Sequence, residues 1–307
     1  CKARRGRFSW GKNLMLEQQL INALSLGCVY ALFALGFTLI FGVLGVINLA
    51  HGAMFTVGAY AALVLVEQWS LPLWLSALLA ALLSGMFGLL IDRLVLRRLR
   101  ENNAPHLIPM ITTIGIGIAV TSTMQGVFGA ENRRFPQEVV PDAALDLGGL
   151  HLTVLELGII LLSFALMAVL LLGIQRTQLG RALRAIAESP RAAWLLGINV
   201  EGLFMLTSFV AAALGGLAGV LIGLSSNAVF PLMGQPMLHK GIAVIILGGM
   251  GDIRGALLGG LFLGFAEVMS VAYIGSTMRD AVAFGLLYLI LLVRPTGLFG
   301  KLQQRKA

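Results

Sequence analysis

The sequence predicts an all-α, polytopic transmembrane helical bundle of eight or nine spans with an amphipathic cytoplasmic segment. Three observations carry that expectation. Of 307 residues, 58% are hydrophobic and only 12% charged, about half the charged fraction of a soluble domain. Mean hydropathy is +0.91. Five stretches hold no Asp, Glu, Lys or Arg, namely 18–66, 68–91, 102–130, 157–175 and 202–239. Only a bilayer or a very large core accommodates such runs, and the length leaves room for a single membrane domain with brief loops.

A spanning helix needs roughly 20 apolar residues at about 1.5 Å each. The first charge-free window is long enough for two crossings, so it has to break. Gly42, Gly45, Asn48, His51 and Gly52 supply turn formers and hydrogen-bonding side chains there, leaving spans near 19–43 and 52–67. Further spans follow near 72–91, 107–128, 153–175 and 203–224. Beyond them Lys240, Asp252, Arg254, Glu267, Arg279 and Asp280 cut the apolar sequence into shorter pieces. These read as a short or broken span at 239–251, a glycine-rich one at 255–273 and a last one at 279–293. Gly255, Gly259, Gly260 and Gly264 place small residues at the spacing that lets helices approach closely in lipid.

Orientation follows from Lys and Arg in short loops. Arg93, Arg97, Arg98 and Arg100 mark one cytoplasmic loop, Arg176, Arg181, Arg184 and Arg191 a second, and Lys301, Arg305 and Lys306 a cytoplasmic tail at 301–307. The segment 131–146 holds four acids against Arg133 and Arg134, which suits the outside. Three spans separate the Arg93 cluster from the N-terminus, placing the latter outside, yet residues 1–14 carry Lys2, Arg4, Arg5, Arg7 and Lys12 and no acid. We therefore expect 1–14 to be a basic extension ahead of a native start at Met15, and 15–300 to form the membrane domain. The net charge of +8 then divides unequally, because without 1–14 there are 17 bases against 14 acids, or +3. That is no nucleic-acid binder.

Enzyme signatures are missing. Gly6-Arg7-Phe8-Ser9-Trp10-Gly11-Lys12-Asn13 misses a P-loop because Asn13 replaces the Ser or Thr that would hold Mg²⁺ and no strand precedes it. The four histidines, His51, His106, His151 and His239, lie in separate segments without metalloprotease spacing, and there is no nucleophile elbow. Neither a catalytic residue nor a metal site is expected, and Cys1 and Cys28 do not form a disulfide framework.

Polar residues within apolar spans are costly in lipid and are functional candidates by default. Here they are Asn48, His51, Glu156, Asp252, Arg254 and Glu267. Asn48 and His51 read either as caps of a helix break or as the lining of a translocation path. Asp252 and Arg254 fit a turn at the cytoplasmic interface. Glu267 is either an interior carboxylate or a loop residue near the outer face. In the segment 178–199, Leu179, Leu183, Ile186, Ala193, Leu196 and Ile198 alternate with Arg181, Arg184, Glu188 and Arg191. This is an amphipathic helix interrupted at Ser189-Pro190, suited to a membrane surface or to a soluble partner.

Four blocks of sequence resemble the smaller Liv-type permease of ABC importers for branched-chain amino acids. They are "LINALSLGCVYALFALGFTLIFGVLGVINLAHGAMF" (20–55), "GRALRAIAESPRAAWLLGIN" (180–199), "ILGGMGDIRGALLGGLFLGFAE" (246–267) and "RPTGLFG" (294–300). The resemblance implies a subunit of the bacterial inner membrane that pairs with a second related permease, two ATP-binding subunits and a periplasmic substrate-binding protein. ATP and Mg²⁺ would then sit on the partner subunits. It implies further that Gly180, Arg181, Arg184, Ala185, Ala193, Gly197 and Asn199 belong to an ATPase coupling segment. Asn48, His51 and Gly52 would lie near the path in the "NLAHG" motif, and Glu267 joins them as a path candidate on the residue reading alone. Urea, short amides and other amino acids are alternative cargoes, and an ion-coupled secondary transporter is the competing class.

Overall fold

The computed structural model describes residues 2–102, 104–105, 107–136, 138–139, 143–147, 150–294 and 297–299, with backbone alone at 2–15, 144–147 and 150. The basic tail expected at 301–307 lies outside the described residues. The helices are α1 (Lys2–Leu44), α2 (His51–Trp69), α3 (Leu73–Ile91), α4 (Arg97–Glu101), α5 (Leu107–Phe128), α6 (Val154–Arg176), α7 (Gln178–Glu188), α8 (Pro190–Leu195), α9 (Val200–Ser226), α10 (Gly234–Gly248), α11 (Ile253–Tyr273) and α12 (Arg279–Val293). Two short antiparallel strands, β1 (Ala144–Leu147) and β2 (Leu150–Thr153), pair Leu145 with Leu152 just before α6, a small addition to the all-α expectation.

Among the described residues seven helices are long and apolar enough to cross a membrane, against the eight or nine crossings expected. The difference lies in α2 and α10. His51, Glu67 and Gln68 dilute the hydropathy of α2, and the 15 residues of α10 reach about 22 Å, short of a roughly 30 Å hydrocarbon core. Arg93, Arg97, Arg98 and Arg100, expected in a loop, instead continue α3 through a π-helical turn (Asp92–Leu96) into α4.

The apolar character of α1 runs all round it, as a central helix requires. Cys28, Val29, Leu32, Phe33, Leu35 and Phe37 are all buried. Around α1 stand α9, α10 and α11, with α2 and α3 packed on α9, whereas α5, α6 and α12 lie at the periphery. Lipid gives helices no hydrophobic reason to associate, so close backbone contact has to supply the packing energy. A methyl group added at Gly58 would collide with Gly216 of α9, and one at Gly264 with Gly27 of α1. The glycine-rich pattern of α11 is thus a packing face.

Among the described residues two carboxylates are sealed inside the bundle, and each is paired. Asp92, fully buried, accepts from Arg100 at 2.8 Å, and Arg100 also reaches Glu201 at the start of α9 at 3.1 Å. Glu267 of α11, 1% exposed, accepts from Lys240 of α10 and from the Tyr30 hydroxyl of α1, both at 2.7 Å. Arg279 stands 3.4 Å from Glu267, and Asp280 lies 3.7 Å from Lys240.

Two outcomes follow for the purified protein in detergent. Gly58→Val and Gly264→Val should each destabilise it by at least about 2 kcal/mol, read as a lowered thermal unfolding midpoint, while Gly126→Ala, which meets open space, should not. Glu267→Gln leaves the Lys240 ammonium with the Tyr30 hydroxyl and the more distant, exposed Asp280, and should cost up to about 3–5 kcal/mol, the range for removal of one partner from a buried pair. The double variant with Lys240→Met should recover much of that loss, and failure to recover would show that the pair is not what holds the three helices.

Candidate functional site

The chain breaks where the sequence places the break. Helix α1 ends at Leu44, Gly45 takes a left-handed φ of 69°, and α2 begins at His51. Instead of leaving the bundle, 45–50 turns back into it. The His51 ring lies against Phe33, eleven residues before Leu44, or roughly 16 Å along the helix. Non-helical backbone therefore sits at membrane depth, where its polar groups need protein partners.

Those partners are specific. Asn48 Oδ1 accepts from the Ala50 N–H at 3.1 Å, and Thr113 Oγ1 of α5 accepts from the Leu49 N–H at 3.1 Å. His51 Nε2 lies 3.3 Å from the Phe33 carbonyl, which can only accept, so the ring proton belongs on Nε2. Nδ1 of His51 is buried with no partner among the described residues. Asn48 thus bonds a backbone group within the break, while the N-terminus of α2 itself has no side-chain cap. His51 points into the packing of α1 and α9, between Gly36 and Gly215.

Gly52 occupies a different position. Its carbonyl packs directly against Gly234, so that the N-terminal ends of α2 and α10 abut inside the protein. From that contact α2 runs toward Glu67, which stands 3.8 Å from Arg133, and α10 runs toward the arginine-rich end. Beside it a cavity of about 410 Å³ opens between α2, α10 and α5, lined in part by Gly52, Ala53, Ile114, Ile118, Gln235 and His239. Glu267 is the interior carboxylate rather than a loop residue, and it lies outside this lining, on the far side of α10.

At the arginine-rich end, 177–199 forms a helical hairpin. Thr177 caps α7 by accepting from the Gly180 N–H at 3.0 Å, and Gly180 packs so tightly on the Ile174 carbonyl that no side chain fits. Arg184 donates to that carbonyl, satisfying the C-terminal end of α6. Ser189 caps α8 with Pro190 as its first residue, as the Ser-Pro interruption implies. Ala193 is buried with Ile186, Leu203 and Phe204, Ala185 packs at the edge of that cluster, and Arg181 is exposed. Gly197 closes α8 with φ 80°, and Asn199 caps α9 by accepting from Gly202 at 3.0 Å. Trp194, Leu195 and Leu196 stand exposed, Trp194 beside a cleft of about 960 Å³ that also touches Leu44, Arg100 and Phe204.

Asp252 accepts from the N–H groups of Arg254 and Gly255 and so caps α11, as the turn reading requires, while Glu156 belongs to the Thr153 capping box of α6. Sequence reasoning missed Lys240, Tyr30, Gln235 and Thr113. Lys240 had a signal: a lone cation in a glycine-rich apolar stretch needs an acid, and Glu267 was available.

The family described as branched-chain amino acid transport system / permease component matches residues 19–291. The high-affinity branched-chain amino acid transport system permease protein BraD of Pseudomonas aeruginosa is 36% identical over 94% of this chain and 97% of its own length. LivH of Escherichia coli K12, named likewise, is 34% identical over 95% of this chain and 98% of its own. LivM of the same organism is 25% identical over 92% of this chain and 71% of its own length. No solved structure matches significantly. With nearly full-length identity above the level at which folds and families are shared, and with the apolar helices to go with it, the chain belongs to the branched-chain amino acid permease-component family and is a multi-pass membrane protein.

Proposed function

We propose that this chain is a translocation subunit of an ATP-driven importer of branched-chain amino acids in the bacterial inner membrane. The match of residues 19–291 to permease components carries the reading, and BraD and LivH, matched along almost their whole lengths, are named for that transport. The likeness to both LivH and LivM supports pairing with a second, related permease. ATP and Mg²⁺ belong to two partner ATP-binding subunits, and a periplasmic binding protein delivers the amino acid.

The connectivity supports nine passages. Leu44, Arg100 and Val200 share one cleft, so α1 and α4 end and α9 begins at the same side. The segment 45–69 must carry the chain back across, and 228–248 does the same after α9. Each combines a re-entrant stretch with a helix too polar or too short to count alone. This puts the arginine-rich hairpin in the cytoplasm. There α7 and α8 form the coupling segment, with Gly180, Arg181, Arg184, Ala185, Ala193, Gly197 and Asn199 shaping it. Closure of the ATP-binding subunits pushes on the hairpin and tilts the bundle to open the path to alternate sides.

Two measurements test this. In vesicles, leucine uptake should require ATP together with the ATP-binding subunits; uptake driven by an ion gradient without them would overturn the importer reading in favour of secondary transport. Trp194→Ala and Gly197→Val should each lower co-purification of the ATP-binding subunit about tenfold or more, the first by removing an exposed anchor and the second by straining a left-handed residue. Unchanged assembly in both would remove the hairpin from the coupling interface.

A further inference from the structure

The cavity between α2, α5 and α10 has the size and chemistry of a small-molecule site rather than of a packing flaw. Its volume of about 410 Å³ falls within the roughly 300–1,000 Å³ of ligand pockets. One wall is backbone, where Gly52, Gly117 and Gly234 bring no side chain into the space. The opposing surfaces are aliphatic, from Leu49, Ile114, Ile118, Leu238 and Ile242. Three polar side chains interrupt them: Thr121, whose hydroxyl donates to the Gly117 carbonyl, and Gln235 and His239. Gln235 and His239 stand four residues apart, on one face of α10. Among the described residues neither side chain has a hydrogen-bond partner.

That division matches one kind of molecule: an aliphatic body with a charged, hydrogen-bonding end. We propose that this cavity receives the translocating amino acid, its branched side chain against Ile114, Ile118 and Leu238 and its ammonium and carboxylate toward Gln235 and His239. The permease then selects for aliphatic side chains itself, in addition to any selection by a binding protein. This rests on the importer reading and names the place where the cargo is held. A lipid acyl chain would suit the aliphatic wall and leave Gln235 and His239 without a role.

The test uses the whole transporter in proteoliposomes, with its binding protein saturated in turn by leucine, alanine or phenylalanine, so that the binding protein's preference cancels between variants. Ile118 is 59% exposed, so its replacement disturbs little packing. Ile118→Trp narrows the cavity and should lower leucine uptake relative to alanine by about tenfold or more, the discrimination that a methylene or two commands in an apolar pocket. Ile118→Ala widens it and should raise phenylalanine relative to leucine. Ile111→Trp, on the same helix but outside the lining, should leave both ratios as they are. Ratios that stay constant in both Ile118 variants, while wild-type uptake remains ATP-driven, would overturn the cavity assignment alone. Absence of ATP-driven leucine uptake in the wild-type transporter would instead overturn the importer reading on which the assignment rests.

Discussion

A helix interrupted at membrane depth frees backbone groups that lipid cannot satisfy, and the bundle is arranged around that demand at residues 45–50. Side-chain partners come from two places, Asn48 within the break and Thr113 on the mostly exposed α5, while His51, the first residue after the break, is held by the Phe33 carbonyl of α1. A break so held has to be enclosed. Enclosure of its inner end is the work of the glycines, which let α2 approach α9 and α10 closely and leave Asn48 and Ala50 buried while Gly45 stays exposed. A larger residue at Gly52 or Gly234 would separate the two helix ends and open the break.

Charge is distributed with the same economy. Each buried carboxylate belongs to a cluster that ties together elements distant in sequence. Asp92 and Arg100 hold the π-helical turn against α4, and Arg100, stacked over Phe204, extends the tie to α9 immediately after the hairpin. Glu267, Lys240 and Tyr30 fasten α10 to α11 and α1 at the level of the cavity, on the face of α10 that the cavity does not use. Such pairs add little net stability against apolar residues of the same volume, but they specify one arrangement, because any slip of α10 along α11 leaves a buried charge alone.

Much of this was legible in the sequence, and what was not has a physical reason. Charge-free windows set the apolar helices to within a few residues, α5 at 107–128 among them, because hydrophobic length is a local property. Gly45, Asn48 and His51 marked the break, and Ser189-Pro190 the interruption between α7 and α8, because capping and left-handed turns are also local chemistry. The pairing of Lys240 with Glu267 depends on how α10 lies against α11, which no local pattern specifies. Among the described residues seven helices qualify by length and hydropathy for a related reason: α2 and α10 can be more polar or shorter than a lipid-facing helix because other helices enclose them. The cavity could not be foreseen at all, being the space left where Gly52 meets Gly234, although the Gly52 beside it was already a candidate.

The three walls of the cavity are not held equally. Helix α10 is fixed in its middle by Lys240, at its start by Gly52, and at its end by the N–H groups of Leu298 and Phe299, which donate to the carbonyls of Leu247 and Gly248. Helix α2 lies buried along most of its length against α9 and α3. Helix α5 is different. Only 11% of its apolar window is buried, and Thr113 is its one side-chain hydrogen bond to the break among the described residues. A change of cavity volume costs least where the fewest contacts are lost, so motion of α5 against a fixed pair of α2 and α10 is the cheapest way to admit or release a molecule. The same helix carries Gly115 and Gly126, which meet nothing within 4 Å among the described residues, so motion of α5 breaks no packing there within the bundle. The broken, enclosed part of the fold thus supplies the rigid surface, and the least buried helix supplies the freedom to move.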